Sequence, residues 1–364
     1  MIVQMRWLKT RLAARRGLLV AATLILTAIP FAGVPAATVP DLYSAEVEVP
    51  DAELATIFRA ALAEVLVRVT GTRAAAAPEN LAALGDPAVL VLQYRSVGPD
   101  RWQVGFDSSA LRSRLDAIGL PIWSEERPAT LLWLAVDTGG GERNILSAAA
   151  AEPSGLPITS LDPAQRDELA ATREVLEDVA QTRGLPMLLP LVDTEDLETL
   201  SFADLWGDFS EPVVAASARY RADALLIGRT RTLDPTAPRV RWTLLFDGER
   251  WDWEGTLQDG PEFTADRVAE RLATSADSLR ELRVEVRNVG SLDDYGKVYT
   301  YLGSLSAVER CDVEAVEADR AVFRLQVRGD PDQLLRVVAL NRLLVPVDEP
   351  AAPTDLQFAL VGEQ

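Results

Sequence analysis

The stretch from Val240 to Glu254 leaves the chain little conformational choice. Val240, Trp242, Leu244 and Phe246 alternate with other residues up to the dipeptide Asp247-Gly248. A period of two ending on such a dipeptide predicts a two-residue β-hairpin. Folded there, Leu244 faces Trp251 and Trp242 faces Trp253 on one side. Arg241 faces Glu254 and Thr243 faces Asp252 on the other. The apolar face calls for a cover, and the helix expected from Thr264 to Leu272 supplies it.

The same reasoning organises the rest of the chain. Tyr43, Ala45, Val47 and Val49 alternate as a half-buried strand. Asp51 is the expected N-cap of the next helix, in which Leu54, Ile57, Phe58, Ala61, Leu62, Val65, Leu66 and Val69 form one apolar stripe, and Gly71 is its left-handed stop. Strands are expected at Trp102–Phe106, Leu131–Val136, Met187–Val192 and Ala224–Ile227. Helices are expected at Ser109–Ile118, Pro163–Arg183 and from Pro212 to Tyr220. Beyond Arg280 the order strand, helix, hairpin, helix, strand is the split βαβ pattern, with Ser291 capping the first helix and Asp330-Pro331 opening the second. The fold class expected is α/β and α+β multidomain, with mixed sheets, covering helices and a C-terminal βαββαβ ferredoxin-like module. The expected segments are 1–36, 37–150, 151–279, 280–348 and a flexible tail over 349–364.

Composition narrows the chemistry. The 364 residues include no histidine and one cysteine, Cys311. That removes the Ser-His-Asp triad, histidine metal ligands and any intrachain disulfide. Hydrophobic residues at 48% and charged residues at 25% fit a folded globular chain.

Residues Met1–Ala36 read as a cleavable export signal. Arg6, Lys9, Arg11, Arg15 and Arg16 precede the apolar run Gly17–Ile29, which is shorter than a membrane span, and Val34-Pro35-Ala36 places cleavage after Ala36. No cysteine follows the apolar run, so a lipoprotein is excluded. An uncleaved anchor and a twin-arginine route, the latter from Arg15-Arg16-Gly17-Leu18-Leu19, are the alternatives. Removing five of the 36 basic residues and no acid takes the formal charge from −19 to about −24. Such a charge repels nucleic acid and anionic lipid and favours basic partners.

Several stretches carry a resemblance. Tyr43–Val49, Arg59–Gly71, Phe106-Asp107 ahead of Leu111, Leu120–Trp123, Arg127–Leu134 and Ala222–Arg229 together resemble the proteobacterial family called domain of unknown function 2066. The resemblance implies an exported protein of a Gram-negative bacterium and brings no activity and no catalytic residues.

Candidate sites are few. Asp252 and Glu254 flank Trp253 as a carboxylate pair could in a sugar-processing cleft, and Trp242, Trp251 and Trp253 could stack a carbohydrate or peptide. Register alone gives a plainer reading, polar face for the acids and core for the rings. Asp193, Glu195, Asp196 and Glu198 concentrate oxygen ligands as calcium requires, or form a solvated acidic loop. Gly139-Gly140-Gly141 lacks the helix and the Lys-Ser/Thr pair of a phosphate loop. Asp107-Ser108 reads as a helix cap, since the only lysine after the signal is Lys297 and a Ser-Lys pair has little to draw on. No cofactor is expected and no catalytic set is recognised. The expected role is a non-enzymatic periplasmic binding or adaptor protein with an envelope protein partner. The alternatives are a carboxylate-based hydrolase of an envelope glycan and a calcium- or peptide-binding module.

Overall fold

A computed structural model describes residues 37–39, 41–139, 142–148, 163–231, 239–275, 279–305, 307–341, 343–347 and 354–361. The export signal and two of the three glycines at 139–141 lie outside the described residues. The expected fold class is present: helices and mixed or antiparallel sheets are layered on one another.

The chain opens with β1 (Ala37–Thr38) and β2 (Ser44–Glu48), followed by α1 (Leu54–Thr70) and α2 (Pro78–Leu84). Then come β3 (Val91–Gly98), β4 (Arg101–Phe106) and α3 (Ser108–Ala117). An antiparallel sheet of order β2-β4-β3 packs against α1. The helix forms because its apolar residues recur at helical spacing, and that stripe is what it buries: Ile57, Phe58, Ala61, Leu62, Val65, Leu66 and Val69. Each large member contributes roughly 1.5–3 kcal/mol of transfer free energy. Gly71 ends the helix at φ 74°, as expected. Asp51 does not cap it: Asp51 turns left-handed at φ 48°, and the helix starts two residues later behind Glu53. Strand β3 was not expected. It is solvated over six of its eight residues, so no apolar alternation marks it.

The second sheet has the order β11-β10-β9-β6-β7, with β8 added to β6. Its elements in chain order are β5 (Glu126–Arg127), which instead pairs with β1, β6 (Thr130–Gly139), β7 (Glu142–Ile145), α4 (Pro163–Arg183) and β8 (Met187–Leu188). Three short helices follow, α5 (Thr194–Thr199), α6 (Phe202–Trp206) and α7 (Ser210–Ser217), then β9 (Ala224–Thr230), β10 (Val240–Phe246), β11 (Glu249–Gly255) and α8 (Asp259–Leu272). β6 and β9 are parallel neighbours, so β6, which precedes the boundary expected at 150, belongs to the sheet of the segment that follows it. The hairpin has the expected register in all four pairs. Asp247 and Gly248 turn it with φ 51° and 74°, the mirror-image turn that suits strand twist.

The third sheet contains β12 (Leu279–Arg287), β13 (Val308–Val316), β14 (Arg320–Arg328), β15 (Leu344–Pro346) and β16 (Leu356–Leu360), with α9 (Leu292–Ser304) and α10 (Pro331–Asn341) between them. The expected βαββαβ order is there, and Ser291 caps α9 through Asp294. The sheet order is β13-β14-β12-β16-β15. A ferredoxin-like sheet would set β15 against β12; here β16 lies between them, parallel to β12. Within the tail expected to be flexible over 349–364, residues 354–361 are described and correct that expectation: Phe358 is fully buried and Leu360 nearly so. The apolar side chains of so short a strand are worth more inside than in water.

Candidate functional site

Two buried arginines, Arg127 and Arg183, set the geometry beside one groove of the protein. Arg127 stacks on Trp123 with its guanidinium carbon 3.8 Å from the ring centroid. Backbone carbonyls accept its hydrogen bonds: Ser124 at 2.9 Å, Gly184 at 2.7 Å and Arg68 at 2.7 Å, with Arg183 and Trp123 at 3.4 Å. The Arg68 oxygen lies in the last turn of α1, and the Arg183 and Gly184 oxygens lie at the end of α4. Helix ends carry unpaired carbonyls and partial negative charge, and one guanidinium serves both. Burial, and then the neighbouring Arg68, lower the Arg127 pKa to about 9, which leaves it charged at neutral pH.

Arg183 ties the same corner to α8. It donates to the Gly71 carbonyl at 2.6 Å and pairs with Glu262 and Asp266. Burial acts to raise the Glu262 carboxyl, but the hydrogen bonds and charges of Arg73 and Arg183 outweigh it and hold the group below its usual range. Gly184 is required here. Its φ is 63°, and a Cβ would overlap Arg127 Nη1 and approach Arg68 Cγ at 2.7 Å.

This joint holds α4 beside the edge of β2, which has no partner strand among the described residues. Between them runs a groove of about 690 Å3, bounded by β2, α1, the end of α4 and the Gly184–Pro186 connection. Asp41, Glu46, Glu48, Glu64 and Asp178 line it, against Arg68 and Arg101. Arg101 pairs with Glu46, and Arg68 donates to the Ser44 carbonyl at 2.6 Å. Glu64 is half-buried. Desolvation, reinforced by Asp178 and opposed by Arg68, raises its pKa. Burial lowers the pKa of Arg68, with Glu64 and Asp41 opposing.

The residues singled out in the sequence lie elsewhere. Trp242 is 1% exposed, and its Nε1 donates to the Thr256 carbonyl at 2.9 Å. Gly228 and Gly260 press on the ring so closely that a Cβ on Gly260 would lie 2.6 Å from it. Trp253 lies tilted against Phe263 of α8 with ring centroids 4.2 Å apart, and Trp251 packs against the same core. A stacking platform would need these faces open; α8 covers the hairpin instead. Asp252 accepts from Thr243 Oγ1 and Arg250, each at 2.8 Å, and the Arg250 hydrogen bond, foremost, holds its pKa below the usual range. A glycosidase acid needs the opposite shift. Glu254 stands opposite Arg241, whose guanidinium lies 5.7 Å from the Trp206 ring centroid.

The acidic run of the expected calcium loop is α5. Asp193 caps it, accepting from the Asp196 N–H at 3.1 Å. Asp196 is 1% exposed and accepts from the Val192 N–H at 2.8 Å and the Tyr220 hydroxyl at 2.5 Å. Arg219 lies between Asp193, Asp196 and Glu195, at 2.6, 3.2 and 3.6 Å, and supplies the positive charge the run needs. Glu198 is exposed. Among the described residues no group of three or more such ligands is placed to hold a metal ion. Asp107 caps α3 as expected, with its pKa lowered by Ser109 first. No described helix is long and apolar enough to cross a membrane.

Sequence reasoning missed the groove because its walls are more than a hundred residues apart in the chain. The one available signal was the alternating strand at Tyr43–Val49, whose edge it could not show to be open. Neither the curated proteins nor the solved structures include a match to this chain. Residues 36–124, which carry the β2 and α1 walls but not α4, match a family model described as Domain of unknown function (DUF8605), and so form a domain of a known but uncharacterised kind.

Proposed function

We propose that this chain is an exported, non-enzymatic binding or adaptor protein of the Gram-negative envelope, acting in the periplasm after cleavage behind Ala36, and that it binds its partner in the β2–α4 groove. The observation that carries the binding role is a strand edge left open, among the described residues, inside a concavity. Concave, partly polar surfaces of this size are where ligands bind. The export part rests on five positive charges ahead of a short apolar run. The family match begins at residue 36, where cleavage is expected, and the resemblance to domain of unknown function 2066 points the same way. The lowered pKa of Asp252 and its engagement by Arg250 disfavour a carboxylate hydrolase at the hairpin.

Two measurements test this reading. The mass of the protein from an osmotic-shock fraction should correspond to a chain starting at Ala37; a full-length chain in the cytosol contradicts export. A photo-crosslinking residue at Gln181, which lines the groove, should give a discrete adduct in intact cells that one at Glu317, exposed in the turn between β13 and β14, does not. Equal patterns at both positions contradict the groove as the binding site.

A further inference from the structure

The hydrogen-bond pattern of β2 says what kind of occupant the groove suits. Phe106 donates to the Tyr43 carbonyl and Val49 to the Asp100 carbonyl, both at 2.9 Å. In an antiparallel ladder the bonded residues alternate. Tyr43, Ala45, Val47 and Val49 therefore bond β4, and the N–H and C=O groups of Ser44, Glu46 and Glu48 point the other way. Ser44 is satisfied locally: its N–H donates to Asp41 at 2.9 Å and its carbonyl accepts from Arg68. Among the described residues, Glu46 and Glu48 are left with outward donors and acceptors at the edge of their sheet.

An open edge is a template for another strand, and proteins that must not recruit one blunt their edges. The opposite edge of this sheet is blunted. β3 departs from regular register twice, between Val91 and Gln93 and between Ser96 and Gly98. β2 keeps an unbroken register across all five residues. The regular edge is the one that faces the groove.

Charge selects the occupant. Five carboxylates face two guanidinia there, one of them paired with Glu46. A second copy of this chain adding its own β2 would set Glu46 and Glu48 near their own copies, which like-charge repulsion opposes. Resting on the reading of the groove as the binding site, we propose that it takes an extended segment of a partner protein, bearing lysine or arginine at alternate positions, as a strand added to β2. The segment's carbonyls accept from the Glu46 and Glu48 N–H groups, its own N–H groups donate to their carbonyls, and its basic side chains reach Glu64 and Asp178 on the facing wall. This is strand addition with specificity set by alternate side chains.

The probe is a nine-residue peptide alternating lysine and valine, titrated calorimetrically into the whole protein. Controls are a glutamate-valine peptide and a lysine-valine peptide N-methylated at every residue, which keeps charge but has no backbone N–H on either edge to donate to a strand. The proposal expects binding by the first peptide alone, weakened by salt, with slowed amide exchange at Glu46 and Glu48. Glu46→Pro removes one outward N–H without touching the β4 ladder and should weaken binding roughly fivefold. Asp178→Lys should weaken it about tenfold. Failure of the lysine-valine peptide to bind overturns the proposal. So does equal binding of the N-methylated peptide, which needs no variant to fold, or binding that leaves the two amides exchanging as before. If the peptide fails while Gln181 still crosslinks a partner in cells, strand addition falls and the binding groove stands. If Gln181 crosslinks nothing, both fall.

Discussion

Arg127 ties three parts of the chain together at the joint. It is fully buried, and backbone carbonyls from three parts of the chain accept its hydrogen bonds. Arg127→Ala leaves those carbonyls unpaired and opens a void beside Trp123. Urea unfolding should show a loss of about 3–5 kcal/mol. Arg127→Lys should recover little of it, because an ammonium lacks the planar fork that reaches both helix ends and stacks on the indole. Glu64 gives a signed pH effect. Its neighbours are Arg68, one turn on along α1, and Asp178 across the groove on α4. The folded pKa is raised above its ordinary 4.5, so the folded state holds this proton longer than the unfolded state. Stability therefore declines as pH rises from 4.5 through the raised folded value, and the penalty persists at neutral pH. Glu64→Gln should remove that decline: a higher Tm than the parent at pH 7 and no difference well below pH 4.5. A lower Tm at pH 7 would mean that the attraction between the Glu64 and Arg68 charges outweighs desolvation. Residue-level legibility followed locality. Gly71, Asp107 and Ser291 act at their own helix ends and were readable, whereas Arg127 entered only as the first residue of a resembling stretch, because its partners are distant in sequence.

At the scale of elements, the hairpin was legible in full because turn and alternation agree within fifteen residues. The glycines around it separate two physical costs. Gly248 has φ 74° and nothing within 4 Å of an added Cβ, so Gly248→Ala should cost about 1–2 kcal/mol from backbone conformation alone. Gly260 needs no positive φ but presses on Trp242, so Gly260→Ala should cost about 1–3 kcal/mol through overpacking. Thermal melts paired with the near-ultraviolet signal of tryptophan distinguish them: Gly248→Ala should leave that signal unchanged and Gly260→Ala should alter it. Three of the elements that escaped the sequence share a cause. β3 is solvated, α5 is an acidic run that its own cap and Arg219 fold into a helix, and β16 is a short strand whose burial depends on β12, seventy residues earlier. None of the three carries an apolar period long enough to read.

At the scale of the molecule, the three sheets meet through side chains that no local pattern marks. Arg183 joins the end of α1 to α8, and Arg328 of β14 pairs with Asp116 of α3 at 2.6 Å. Layering was readable from the alternation of elements, but which edges stayed open was not, since that depends on every other pairing. The binding role proposed for this chain depends on one such edge. Residue-resolved amide exchange of the free protein measures it directly. The account predicts alternating protection along β2, slow at Ala45 and Val47 and fast at Glu46 and Glu48. Uniform protection of all four amides would mean that the edge is already occupied, and would contradict the account.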